Sequence, residues 1–182
     1  MKKIAIVGFG GAGYNAARAA RRHDADAVID VYTDTDLGPY NPMLTTYYVK
    51  GAIPLDALFP FGSLDKIREE LHLNIYANTS VTAMNAEEKT LTLSDGAVRA
   101  YDSILISTGA GAFMPRCPGI DLPGVFKMRT AHDAMKLKTE LDKGEIKTGL
   151  VIGASWVGIK VIEDFDARGI ACTLVDGAKW IF

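Results

Sequence analysis

Twice in this chain an apolar run breaks into a glycine-rich turn and then into a helix-forming stretch. The first instance is Ile4-Ala5-Ile6-Val7, followed by Gly8-Phe9-Gly10-Gly11-Ala12-Gly13. The second is Leu150-Val151-Ile152, followed by Gly153-Ala154-Ser155-Trp156-Val157-Gly158. A short β-branched run ahead of such a turn reads as a buried parallel strand. Each glycine of the first turn has a physical task. Gly8 permits the tight turn, Gly10 lets the backbone approach a pyrophosphate, and Gly13 lets helix and strand pack closely. The free N–H groups at the start of the helix, from Gly11 and Ala12 onward, then face phosphate oxygens. A chain with two such units is constrained to an α/β fold on parallel strands, with two dinucleotide sites.

The pattern along the chain fills in the rest. Residues 3–7, 12–22 and 27–33 read as one βαβ unit, with arginines in the last helical turn where they suit the macrodipole. Residues 34–63 carry Pro39, Pro42, Pro54 and Pro60 among five aromatics, and show little regular pattern. A long irregular segment rich in aromatics is functional rather than disordered. Residues 64–71 read as a short helix capped by Ser63, and residues 73–101 as an antiparallel β-meander. Residues 103–107 return to the parallel sheet. Thr130 caps a helix over 130–143, and residues 148–176 repeat the opening strand–turn–helix–strand order.

The expected fold is therefore a Rossmann-like, three-layer α/β domain with a parallel sheet and an antiparallel meander. The start of a second Rossmann-like domain follows it. The boundaries fall at 1–111 for the first domain and 127–182 for the second. The Pro- and Gly-rich stretch 112–126 links them.

In the second turn Ser155 takes the place of the middle glycine, and Trp156 and Val157 lead into a helix over 159–168 that stops at Gly169. The next strand ends at Asp176. A carboxylate there accepts bonds from both ribose hydroxyls and repels a 2′-phosphate, which favours NAD over NADP. In the first half, Thr33 and Asp34 both stand about 20 residues beyond Gly13, and Asp34 is the favoured of the two.

Apolar residues make up 48% of the 182-residue chain, and its net charge is −2, so nothing points to nucleic acid. No apolar stretch reaches the roughly 18–20 residues that cross a bilayer. Met1-Lys2-Lys3 precedes too short an apolar run for a signal peptide, which reads as a strand of a cytoplasmic protein with no membrane partner. Cys117 and Cys172 match neither a redox pair nor a zinc site. His23, His72 and His132 are scattered, and no catalytic side chain or metal site stands out.

On these residues the chain resembles the pyridine nucleotide–disulfide oxidoreductase superfamily in its broad sense. These are flavoproteins in which an FAD domain is interrupted by an NAD(P)H domain. The resemblance rests on Gly8–Gly13, Tyr40-Asn41-Pro42, Ser107-Thr108-Gly109-Ala110, and Gly153–Gly158 with Asp176. It implies that Thr108 and Gly109 close the first part of the FAD domain beside the cofactor, and that the backbone of Val81 contacts the adenine. The segment Pro39-Tyr40-Asn41-Pro42-Met43-Leu44-Thr45 is most similar to the ferredoxin, rubredoxin and nitrite reductase type. That type often reads Tyr-Asn-Arg-Pro-Pro-Leu-Ser-Lys. Here Asn41 and Pro42 adjoin without the Arg, and Thr45-Thr46 stands for Ser-Lys.

Residues 38–60 contain no cysteine, so a thiolate is not the electron relay. The resemblance implies hydride transfer from NADH, favoured over NADPH, to FAD, and then electron transfer to an acceptor such as a small redox protein. The alternative is an adenine-dinucleotide-binding module without turnover. The chain further reads as the N-terminal portion of such a protein. Its apolar ending, Lys179-Trp180-Ile181-Phe182, is expected to promote self-association as a homodimer.

Overall fold

A computed structural model describes residues 1–180; Ile181 and Phe182 of the apolar ending lie outside the described residues. In chain order the elements begin β1 (Lys3–Val7), α1 (Gly11–His23), β2 (Val28–Tyr32), α2 (Thr45–Lys50) and α3 (Leu64–Leu71). Next come β3 (Asn74–Tyr76), β4 (Val81–Asn85), β5 (Thr90–Leu93), β6 (Val98–Ala100) and β7 (Ser103–Ile106). The last are α4 (Ala131–Asp142), β8 (Thr148–Ile152), α5 (Trp156–Asp166) and β9 (Ala171–Val175). Among the described residues no helix is long and apolar enough to cross a membrane. Two compact units form: Met1–Tyr40 with Phe59–Ala110, and Asn41–Leu58 with Gly111 onward.

In the first unit the parallel strands lie in the order β3-β2-β1-β7. Strand alternation sends successive side chains to opposite faces. Ile6, Ile29 and Val31 meet Tyr14 and Ala17 of α1 and Leu64 and Ile67 of α3 on one face. Ala5, Val7 and Tyr32 meet Leu91, Leu93 and Tyr101 of the meander on the other. The result is three layers: helices, a parallel sheet, and the antiparallel sheet β4-β5-β6. Strand β3 departs from the sequence reading. It pairs parallel with β2, so the meander begins only at Val81.

Two clusters lock the layers. Arg21 caps more than its own helix: its Nε donates to Leu71 O at 2.9 Å, its Nη1 to Ala25 O at 2.7 Å, and its Nη2 to His72 O at 2.8 Å. On the opposite face Tyr101 Oη donates to Asp30 Oδ2 at 2.8 Å and lies 2.5 Å from Tyr32 Oη. Asn74 Nδ2 donates to the other Asp30 oxygen at 2.8 Å. Burial first, and then these hydrogen bonds, push the Tyr101 phenol well above its ordinary range, so it stays a neutral donor.

In the second unit β8 and β9 pair in parallel. Val161 and Phe165 of α5 pack with Ala134, Leu137 and Leu141 of α4 and with Val49 of α2. The capping box of α4 is complete: Thr130 Oγ1 accepts from Asp133 N at 3.0 Å, and Asp133 Oδ2 accepts from Thr130 N at 2.8 Å. The segment that showed no pattern in sequence contains two short 3-10 turns, Pro42–Leu44 and Leu55–Leu58, on either side of α2. Gly51, in the left-handed region at φ 84°, stops α2.

Candidate functional site

The parallel order of β2, β1 and β7 puts their C-terminal ends at one edge, where α/β sheets bind ligands. Gly8 sits there at φ 90°, and a Cβ on it would lie 2.5 Å from Ser107 O. A Cβ on Gly13 would lie 2.2 Å from Gly8 O, so helix α1 packs directly on the turn. Gly10 differs. Its φ is −83°, ordinary for any residue, and a Cβ there would meet nothing within 4 Å. Gly11 is equally open. The fold itself has no need of a glycine at position 10, whereas a close-approaching pyrophosphate does. No side chain caps α1 and no acid lies in its first turn, so its leading amides face outward without a competing anion.

Around this turn the structure gathers several residues that the sequence singled out. Thr108 Cα would be 2.8 Å from a Cβ on Gly8, and Gly109 follows in the left-handed region at φ 71°. Thr33 is buried; its N–H donates to Tyr76 O at 3.1 Å, and its carbonyl accepts from Thr79 N at 2.9 Å. That bond brings the strand start at Val81 near the end of β2. Asp34, next to Thr33, is an exposed carboxylate at this edge. Asn41 and Pro42 belong to the second unit. There Asn41 Oδ1 accepts from Met43 N at 3.0 Å, and Pro42 O accepts from Thr45 Oγ1 at 2.8 Å.

Ser107 was not among the expected site residues. Its Oγ donates to Gly8 O at 2.7 Å and lies 3.1 Å from Val7 O, bracing the turn from β7. The sequence signal was slight: a small polar residue closing an apolar run before Thr108-Gly109.

The second turn repeats the geometry with different polar wiring. Gly153 has φ 108°, and a Cβ on Gly158 would lie 2.0 Å from Gly153 O. Ser155 is the N-cap of α5, its Oγ accepting from Gly158 N at 3.4 Å. Trp156 and Val157 open the helix, both with exposed side chains. Asp176 Oδ2 accepts from Ala154 N at 2.5 Å and Oδ1 from Ala178 N at 2.6 Å. Those two amides, Ala154 first, hold the carboxyl below its usual range, so it is an anion at neutral pH. The end of β9 is thereby tied to the glycine turn, with lone pairs left for a ribose diol. Among the described residues no group of His, Cys, Asp and Glu could hold a metal ion.

Comparison with known proteins extends this geometry. The sequence model of the pyridine nucleotide-disulphide oxidoreductase family matches residues 2–182. The NADH-dependent phenylglyoxylate dehydrogenase subunit epsilon of Aromatoleum evansii is 31% identical over 96% of this chain and 40% of its own. The rubredoxin-NAD(+) reductase of Pseudomonas putida is 28% identical over 96% of this chain and 45% of its own. Among solved structures, the water-forming NADH oxidase of Lactobacillus brevis bound to NADH superposes with a TM-score of 0.87 at 28% identity. That match covers 97% of this chain and 40% of the oxidase. The chain thus spans about 40% of the length of such relatives.

Proposed function

Because this chain belongs to the pyridine nucleotide-disulphide oxidoreductase family, we propose that it is the cofactor-holding part of a flavin-dependent NAD(P)H oxidoreductase. FAD lies on the first glycine turn and NADH on the second. The observation that carries the reading is Gly10, a glycine the chain's own packing does not require, in front of an uncapped helix end. Backbone amides from Gly10 to Gly13 hold the FAD pyrophosphate, and Asp34 takes the ribose, with Thr33 behind it. Val81, Thr108 and Gly109 complete the adenine and flavin contacts. Gly153, Ser155, Trp156, Val157 and Gly158 hold the NADH pyrophosphate.

Asp176 accepts from the adenosine ribose and repels a 2′-phosphate, which favours NADH over NADPH. Residues 1–111 serve FAD, 127–182 serve NADH, and 112–126 connect them. Bound FAD supplies two-electron acceptance from the nicotinamide and one-electron donation to an acceptor. A small redox protein is the acceptor class we favour, in keeping with the rubredoxin reductase relative. The chain's own residues bind and orient the cofactors, and no side chain serves as acid, base or nucleophile.

Anaerobic addition of NADH to the FAD-loaded chain tests this reading. Flavin absorption bands are expected to bleach. FAD uptake without bleaching would leave a dinucleotide-binding module and refute the redox role. A sharper test is Gly10→Val. Its side chain enters open space, so the cost to unfolding free energy should stay within the roughly 1 kcal/mol of a poorer helix cap. FAD affinity should nevertheless fall about tenfold or more, roughly 1.4 kcal/mol. Unchanged affinity in this variant would show that Gly10 faces no cofactor.

A further inference from the structure

One buried group takes no part in either turn. Asp164 of α5 is 2% exposed, and its Oδ2 has no hydrogen-bond partner among the described residues. Native proteins pair nearly all such groups, so an orphan of this kind calls for an explanation. Asp164 adjoins Phe165 and sits one turn from Val161, in the cluster where α5 meets Val49 of α2 and Leu137 of α4. The charged groups whose fields act on it are Glu163 and Lys160 on its own helix, Arg168 just past the end of that helix, and Lys50 at the end of α2.

Most of these are already committed. Lys160 Nζ donates to Glu163 at 2.7 Å. Arg168 Nη2 donates to Val49 O at 2.7 Å and to Asp142 of α4 at 3.1 Å. Asp142 in turn holds Lys138 at 2.8 Å. Lys50 is exposed and, among the described residues, holds no ion pair.

A buried carboxylate with an oxygen that no donor reaches is costly, so the group must either keep its proton or acquire a cation. Burial pushes the Asp164 carboxyl up to about 6, against the pull of Arg168 and Lys50. We propose that Asp164 and Lys50 form a proton-controlled latch between α5 and α2. With Asp164 protonated the two side chains stay apart. Loss of the proton draws Lys50 Nζ onto the carboxylate and pulls the end of α2 against α5.

Amide NMR of the 15N-labelled chain from pH 4.5 to 8, without FAD or NADH, tests the latch apart from the cofactor reading. The amides of Val49, Lys50 and Gly51 are expected to titrate together, with a midpoint of about 6. Asp164→Asn should flatten the transition. Lys50→Met, a surface change, should raise the midpoint by about 0.5 unit or more, because the ionised form loses its cation. Lys50→Arg should restore it. A midpoint indifferent to Lys50→Met, α2 amides that do not titrate, or a transition that persists in Asp164→Asn would each overturn the proposal.

Discussion

Replacing Gly158 with alanine is expected to cost about 3 kcal/mol of stability and to lower NADH affinity at least tenfold. The added Cβ would sit 2.0 Å from Gly153 O and 3.2 Å from Gly153 C, both backbone atoms that no rotamer change can move aside. Gly153 cannot yield easily, because its N–H is fixed on Val175 O at 2.8 Å. Helix α5 must therefore lift off the turn. That opens the packing of Val161 and Phe165 and carries the Ser155 cap away from its place. Urea unfolding checks the first figure and fluorescence titration with NADH the second. A loss below about 0.5 kcal/mol would mean that close helix–turn contact is not what the glycine secures.

Asp164→Asn is expected to stabilise the chain at pH 7.5 by about 1–2 kcal/mol and to leave it unchanged near pH 4. The carboxyl titrates at about 6 in the fold and near 3.9 in an unfolded chain. Between those values the unfolded state has lost the proton and the folded state still holds it. Stability is thus full below the unfolded value and declines as pH rises, until the folded group also ionises. Each unit of separation is worth roughly 1.4 kcal/mol, and the asparagine amide, itself poorly partnered, offsets part of the gain. Paired denaturation curves at several pH values give the answer. Parallel pH slopes in wild type and variant would show that Asp164 is already ionised in the folded chain.

What the sequence revealed and what it hid follow from range of interaction. Both glycine turns were legible because their determinants are local: an apolar strand, a forced turn, and a helix start. The Ser63 cap of α3 was legible for the same reason, and Ser63 Oγ does accept from Lys66 N at 3.3 Å. Strand β3 was not. Its three residues carry no period of their own, and only pairing with β2 places them in the parallel sheet. Helix α2 was hidden by the prolines around it and by its length of six residues, less than two turns.

Asp176 could be found by position, yet its bonds to the Ala154 and Ala178 amides depend on how β9 ends. Asp164 stands in Glu163-Asp164-Phe165-Asp166, where three acids look alike. Its spacing from Val161 and Phe165 was the available signal, and its missing partner belongs to tertiary structure alone.

The proposed function requires that two separate turns hold two different dinucleotides. Isothermal titration with FAD and NADH, on wild type and on the Gly10→Val and Gly158→Ala variants, measures it directly. The expected result is one equivalent of each ligand bound without competition, with Gly10→Val weakening FAD alone and Gly158→Ala weakening NADH alone. Competition of FAD and NADH for a single site, or the loss of both from either substitution, would contradict it.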